Sequence, residues 1–492
     1  MIPAGTPSNR SVLLSLFIFV SSALSIVASV VVNRDTRSPL ALGIDEIVNR
    51  EENRNALWGI YVRSVDDGTV LYDHNADNLL IPASNQKLVT TASALHFLGS
   101  DYRYETPLLF VGERKADTLR GDLIIVGSGD PTFGGRDLEA GNPDPLETWA
   151  RQLFADGIRH IEGRIVGDDD IFDDELFGDG WDVSLLPTNA YAAPVGGISY
   201  RNNTIRMRVE GYLPGRAPII KAEPDGYFSI TNDVSTHSRR RGRRINVVRP
   251  LGKESLSLEG AVSRRYRGTL EIPVANPTTF LLSTFISKLE ESGISVKAEP
   301  IDIDDANGRP DYLRADTLGL IVSQPLSSII ERINKESNNH YAEQVFRTYG
   351  WGGSAYGGER RTRQMLDEAG IGHAGMSIRD GSGLSRKNLV SARALGDLLY
   401  YMDSQPEAEL YRNSLASPGE HESTLERRLR QIDIQAKTGS LEHVRSLSGY
   451  LNGQDGQRLA FTILVNNYTT SASRTRRAID EIVRVISRSE SE

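Results

Sequence analysis

Ser84 and Lys87 stand three residues apart in Ser84-Asn85-Gln86-Lys87. On a helix, positions i and i+3 share a face, so the amine reaches the hydroxyl. A serine hydroxyl is a poor nucleophile until a base takes its proton. Lys87 can be that base only as the free amine, which burial and a second cation nearby would both favour. Two further polar motifs follow, Ser337-Asn338-Asn339 and Lys437-Thr438-Gly439 with Ser440 after it. In such a site Ser337 passes a proton between Lys87 and a leaving amine. Asn339 holds Lys87 and binds a substrate amide. Lys437 supplies positive charge for a substrate carboxylate and holds Ser337, while Thr438 hydrogen-bonds that carboxylate. Gly439 leaves room for a substrate lying along a strand. The backbone N–H groups of Ser84 and Ser440 form an oxyanion hole. Each motif alone is weak. The three in this order describe a serine acyl-enzyme.

Local patterns suggest the elements that position them. Trp58 to Val62 and Val70 to Tyr72 read as a hairpin around Asp66-Asp67-Gly68. Pro82-Ala83-Ser84 leads into a helix with Leu88, Val89, Ala92 and Leu95 on one face, ended by Gly99. From about Tyr104 to Pro310 the character changes. Strands are expected at 121–126 and 163–167, helices at 146–154 and 278–292, and β-rich sequence over 203–247. From Ile321 the sequence reads as helical up to Ser337. The last strands fall at 432–436, 448–451 and 459–465, before a closing helix over 477–486. Lys437 to Gly439 is expected on an edge strand. The catalytic core therefore reads as split, at 36–105 and 311–492. Inserted domains lie at 106–310, with a nested β-rich domain at about 200–272. An insertion at a surface loop is physically tolerable.

The bulk numbers narrow the class. A chain of 492 residues is long enough for two or three domains. Its net charge of -9 argues against nucleic acid as a partner. It has no cysteine, which excludes disulfides, thiolate catalysis and cysteine zinc sites. From Ser11 to Asn33 there is no charge, and Arg10 precedes the run. This reads as an export signal over residues 1–32, either cleaved or kept as a membrane anchor. Both place the body of the protein outside the cytoplasm.

With the motifs located, the chain resembles the penicillin-binding protein 4 family of D-alanyl-D-alanine carboxypeptidases and endopeptidases. The likeness extends to 334–343, Asp380-Gly381-Ser382-Gly383-Leu384-Ser385-Arg386, the segment from Lys437 to Leu451, and Val465-Asn466-Asn467-Tyr468. The resemblance implies a multidomain α/β protein with a transpeptidase-like core, its antiparallel sheet flanked by helices and split by a large insertion. It implies hydrolysis of peptidoglycan peptides through an acyl-enzyme on Ser84, with no cofactor or metal, and covalent inhibition by β-lactams. It also implies that a carboxylate of the insertion binds the free amine of a diaminopimelate side chain, with Asp168 in the matching place. Arg386 and Leu441 fall where relatives line the same subsite. Two departures stand out. Asn338 replaces a frequent Asp, and Glu420 to Leu425 replaces a Gly-x-x-Gly-Thr-Leu type loop.

Other features carry less. His340 has no role in this mechanism. Glu409 to Asn413 mimics a β-lactamase Glu-x-x-x-Asn but lies too far after Ser337. Arg239 to Arg244 reads as a solvated basic loop, with contact to an anionic wall polymer as the alternative. A β-lactamase or esterase of the same fold would turn penicillin over rapidly. A non-catalytic wall-binding or β-lactam-sensing protein would keep the motifs without turning over peptide.

Overall fold

The structure, a computed structural model, describes Met1 and residues 37–135, 143–238, 242–298 and 300–489. The run from Ser11 to Asn33 and Arg239 to Arg241 of the basic stretch lie outside the described residues. Among the described residues, no helix is long and apolar enough to cross a membrane.

The N-terminal part holds α1 (Pro39–Val48), β1 (Leu57–Ser64), β2 (Val70–His74) and α2 (Gln86–Leu98). There follow β3 (Glu105–Lys115), β4 (Thr118–Val126), α3 (Pro145–Ala155), β5 (His160–Glu162) and β6 (Ile165–Asp168). Six strands come next: β7 (Thr204–Glu210), β8 (Ile219–Glu223), β9 (Ser229–His237), β10 (Arg243–Val248), β11 (Ser255–Ser263) and β12 (Arg267–Pro273). After them run α4 (Pro277–Glu291), β13 (Ser295–Val296), β14 (Pro300–Asp302) and β15 (Asp316–Val322). The C-terminal part holds α5 (Leu326–Lys335), α6 (Asn339–Thr348), α7 (Ala355–Glu368), α8 (Ala392–Asp403) and α9 (Ala408–Asn413). It closes with β16 (Ile434–Leu441), β17 (Val444–Asn452), β18 (Arg458–Asn466) and α10 (Ala472–Ile486). Three helix starts share one device, a capping side chain followed by proline: Ser38-Pro39, Asp144-Pro145 and Asn276-Pro277. The cap oxygen takes an orphan N–H, and proline has none to satisfy.

The architecture is a multidomain α/β one. The core sheet has the order β16-β17-β18-β1-β2 and is antiparallel throughout. One face packs on α1 and α10 through Ile44, Ile60, Phe461 and Ile482. The other packs on α2 and α8 through Tyr61, Leu88, Leu398 and Leu464. Covered on both sides, β18 is buried along nearly its whole length. A second sheet, β13-β5-β4-β3-β15 with β6 and β14 alongside, draws its strands from residues 105–322, so that β15 joins it from the stretch read as core. Two three-stranded sheets, β10-β11-β9 and β12-β7-β8, share one apolar cluster with it, from Trp149 and Phe285 to Met207 and Leu258.

Two local readings change. Ile321 lies in strand β15, paired with β3, and the helix toward Ser337 starts only at Leu326. The helix after Ser84 is also not one-faced. Every residue from Gln86 to Leu95 is buried, Lys87 included, because α6, α7, α8 and the sheet surround it.

Candidate active site

Ser84 sits in a short 3-10 turn, Ala83–Asn85, that feeds α2. Ala83 has φ of 49°, in the left-handed region. The turn is pinned from β17: the Ser446 hydroxyl donates to the Pro82 carbonyl at 2.7 Å and also contacts the Asn85 amide oxygen. Gly383 reaches the same turn with φ of 81°, where a Cβ would lie 1.8 Å from the Ala83 carbonyl oxygen. Only glycine fits so close a backbone approach.

Lys87 follows on the first turn of α2. Its Nζ lies 3.2 Å from Ser84 Oγ, 2.6 Å from Asn339 Oδ1 and 2.7 Å from the Ser382 carbonyl oxygen. Burial pushes its pKa down to about 7, against the opposing pull of Asp380 and Glu343. Asn339 opens α6, and its Nδ2 donates to the Tyr191 carbonyl at 2.8 Å. That bond fixes which amide atom faces Lys87. Ser337, with φ of 64°, lies in the link between α5 and α6. Lys437 is buried on β16, and burial followed by the nearby Lys87 charge depresses its pKa. Its Nζ donates to the Thr438 carbonyl at 3.1 Å; the expected contact with Ser337 is not among the hydrogen bonds of the described residues.

A cleft of about 740 Å³ gathers Ser84, Ser337, Asn339, Thr438, Ser440, Arg386 and Leu441 in its lining. Gly439 is buried on β16 beneath it, where a Cβ would lie 2.0 Å from Ser446 Oγ. Lys437 and Thr438 thus stand on the edge strand of the core sheet. Arg386 donates to the Glu442 carbonyl at 3.0 Å.

Asp168 is not in this lining. It ends β6, where the Tyr312 hydroxyl donates to its carboxylate and Arg309 pairs with neighbouring Asp170. The carboxylate that the inserted segment sends to the cleft is Asp182, with Leu185 and Tyr191. Asp182 is exposed, and its Oδ1 accepts the Ser184 N–H at 2.9 Å. The reason for the displacement is topological: Asp168 belongs to the sheet of the insertion, whereas the chain reaches the cleft only after it. Trp181 anchors that later stretch, its indole N–H donating to buried Asp380 at 2.9 Å.

The remaining sequence features fall as follows. Asn338 caps α6, its side chain accepting the Tyr341 N–H at 3.1 Å, a role that Asn and Asp fill equally well. The loop at 420–425 is tied down. Lys335 pairs with Glu420 at 2.6 Å, and the Thr424 N–H donates to the Lys335 carbonyl at 3.0 Å, which brings Thr424 to the cleft. His340 is buried with neither ring nitrogen partnered, and burial lowers its pKa to about 3. Neither it nor the stretch from Glu409 to Asn413 lines the cleft. The Ser382 and Tyr191 carbonyls escaped sequence reading because backbone acceptors carry no side-chain signature. Asp182 had a signal in the adjoining Gly180-Trp181, whose large ring needs a fixed seat.

The chain is similar in sequence and fold to known proteins. The sequence profile described as the D-Ala-D-Ala carboxypeptidase 3 (S13) family matches residues 40–488. A D-alanyl-D-alanine carboxypeptidase of Actinomadura sp. strain R39 is 30% identical over 457 residues, covering 87% of this chain and 81% of that protein. The crystal structure of penicillin binding protein 4 from Haemophilus influenzae aligns with a TM-score of 0.76 at 23% identity, over 91% of this chain and 99% of that one. The same protein complexed with a β-lactam aligns with a TM-score of 0.71 at 22% identity, over 90% and 98%.

Proposed function

The chain belongs to the D-Ala-D-Ala carboxypeptidase 3 (S13) family, and from that membership we propose a reaction that runs through an acyl-enzyme on Ser84. The protein is a serine-type D-Ala-D-Ala carboxypeptidase or endopeptidase, acting on peptidoglycan stem peptides or their cross-links and acylated by β-lactams. One observation carries the assignment of the base. Of the three groups around Lys87 Nζ, Asn339 Oδ1 and the Ser382 carbonyl can only accept, while Ser84 alone has a proton to give. A neutral amine spends its two N–H bonds on the two acceptors. Its lone pair is then left for the Ser84 hydroxyl.

In the proposed sequence Ser84 Oγ attacks the penultimate D-alanyl carbonyl as its proton passes to Lys87. The Ser84 and Ser440 N–H groups receive the oxyanion. Ser337 carries the proton on to the leaving amine, which departs as D-alanine or as the amine side of a cross-link. Water then hydrolyses the ester. Lys437 and Thr438 bind the terminal carboxylate of the substrate, and Gly439 lets the peptide lie against β16. Arg386, Leu441 and Asp182 form the subsite for the side chain of the acyl donor, with Asp182 facing its free amine. The enzyme acts outside the cytoplasm, in the periplasm or its equivalent, with Ser11 to Asn33 as its export segment; the uncharged run supports this.

Intact mass of the protein with benzylpenicillin, beside Ser84→Ala, tests the reading. A single lasting adduct that the variant lacks is the expected result. A fleeting adduct with accumulating hydrolysed drug would mean a β-lactamase. No adduct would refute the mechanism.

A further inference from the structure

Glu343 lies four residues after Asn339 on α6, so the two side chains stand one turn apart on one helix face. Its carboxylate is buried and accepts two backbone N–H groups, from Ser382 at 2.7 Å on Oε1 and from Gly381 at 3.2 Å on Oε2. The Ser382 carbonyl is the group that accepts from Lys87 at 2.7 Å. Ser382 is thus gripped by Glu343 at its N–H and by Lys87 at its C=O. One rigid helix sets both acceptors of the amine, Asn339 directly and Ser382 through Glu343. Thr90 of α2 braces the same loop, its hydroxyl donating to the Gly381 carbonyl at 2.7 Å.

The charges facing this carboxylate come from each element around it. Lys87 stands on α2, with Lys437 of β16 beyond it, and both are buried. Asp380, in the loop after α7, takes the N–H groups of Gly383 and Ser385 and the side-chain amide of Asn388. Tyr349, at the end of α6, is also close to Glu343, and buried His340 and Arg347 lie within one turn of it on the same helix, Arg347 paired with Asp173. Lys87 is therefore the amine that both buried carboxylates, Glu343 and Asp380, act on. Glu343 is the one not already serving the Trp181 anchor.

We infer that Glu343 is a positioning residue for Lys87: it holds the Ser382 peptide where the carbonyl takes one amine N–H, and its charge sets the pH at which Lys87 becomes a base. The inference rests on Lys87 being that base. With the carboxylate gone, less negative charge is left to stabilise the ammonium, so the free amine persists to lower pH. Burial and the neighbouring Asp380 both push the Glu343 carboxyl up, in keeping with a charge poised to matter at neutral pH.

The test is the rate of benzylpenicillin acylation of the full chain by intact mass, from pH 5 to 10, with melting followed in parallel. Glu343→Gln keeps the shape and loses the charge. Its acid limb should move to lower pH by about 1 unit, with the plateau falling about tenfold to hundredfold through the misplaced acceptor. Glu343→Asp keeps the charge but is too short to span both N–H groups. Its plateau should fall while the limb stays put. An unmoved limb in Glu343→Gln, or an equal shift in both variants, overturns the inference. Should Glu343→Gln fail to fold, Glu343→Asp decides alone: a wild-type plateau overturns, a lowered plateau with a fixed limb supports. Lys87→Ala separates the two readings. If it acylates normally, the base assignment fails; if it is dead while Glu343→Gln behaves as wild type, only the present inference fails.

Discussion

Asn339→Ala deletes both bonds of one amide, the acceptor for Lys87 at 2.6 Å and the donor to the Tyr191 carbonyl at 2.8 Å. The two should register in different measurements. As Lys87 takes the Ser84 proton it gains positive charge, so its bond to Oδ1 strengthens in the transition state. A hydrogen bond to a charged partner contributes about 1.5–3 kcal/mol, which corresponds to a loss of roughly tenfold to 150-fold in acylation rate. Any contact of Asn339 with the substrate amide adds to that, so the figure is a lower bound. The Tyr191 bond joins neutral groups in both states. Its loss should cost about 1 kcal/mol of stability and leave the chemistry alone. The assay is the second-order rate constant for benzylpenicillin at about pH 9, above the Lys87 transition, so that protonation does not confound the comparison. Urea unfolding of the same samples reads the stability term. A plateau rate within threefold of wild type would refute the assignment of Asn339 to the Lys87 clamp.

Four other outcomes are expected. Since burial lowers the Lys87 pKa to about 7 and only the free amine can accept a proton, acylation should fall as pH drops through about 7; a midpoint near the ordinary lysine value would contradict this. Trp181→Phe keeps the ring but removes the N–H that Asp380 accepts at 2.9 Å, so urea unfolding should show a loss of about 1.5–3 kcal/mol, and no measurable loss would dismiss the anchor. Asp182→Ala should raise KM about two- to fivefold for donor peptides with a free side-chain amine, the small effect expected of an exposed pair; Asp168→Ala should leave KM unchanged, and the reverse pattern would restore Asp168. Gly439→Ala puts a Cβ 2.0 Å from Ser446 Oγ and 2.9 Å from the Pro82 carbonyl oxygen, so the Ser84 turn must shift and acylation should fall about tenfold or more; a wild-type rate would show that the turn tolerates the shift.

The sequence was most legible where side chains do the work at fixed spacing. Ser84 with Lys87, and the strand carrying Lys437, could be read because helix and strand periodicity dictate who is near whom. Legibility failed where position depends on a distant part of the chain. Asp168 and Asp182 are both acidic residues of the stretch between Ser84 and Ser337, and only the path of the chain after β6 decides which meets the cleft. Ile321 and Val322 look as helical as Ile329 and Ile330, yet β3 offers them an edge to pair with, and pairing overrides propensity. The buried polar side of α2 was hidden for a similar reason. Its Thr90 and Thr91 look like solvent-facing residues until the Gly381 carbonyl takes the Thr90 hydroxyl and Asn334 of α5 reaches Thr91.

The order of strands in the core sheet has a consequence for how the chain comes to life. β1 pairs with its hairpin partner β2 on one side and with β18 on the other, Leu57 opposite Asn466 and Ser64 opposite Leu459. The hairpin behind Ser84 has no partner until the last strands have been made. Contacts so distant in sequence are late and slow to form. An emerging chain can therefore carry its nucleophile and its lysine for most of its synthesis with no sheet to brace them. Activity should switch on in a single late closure, and a chain cut anywhere before β18 should have none to regain.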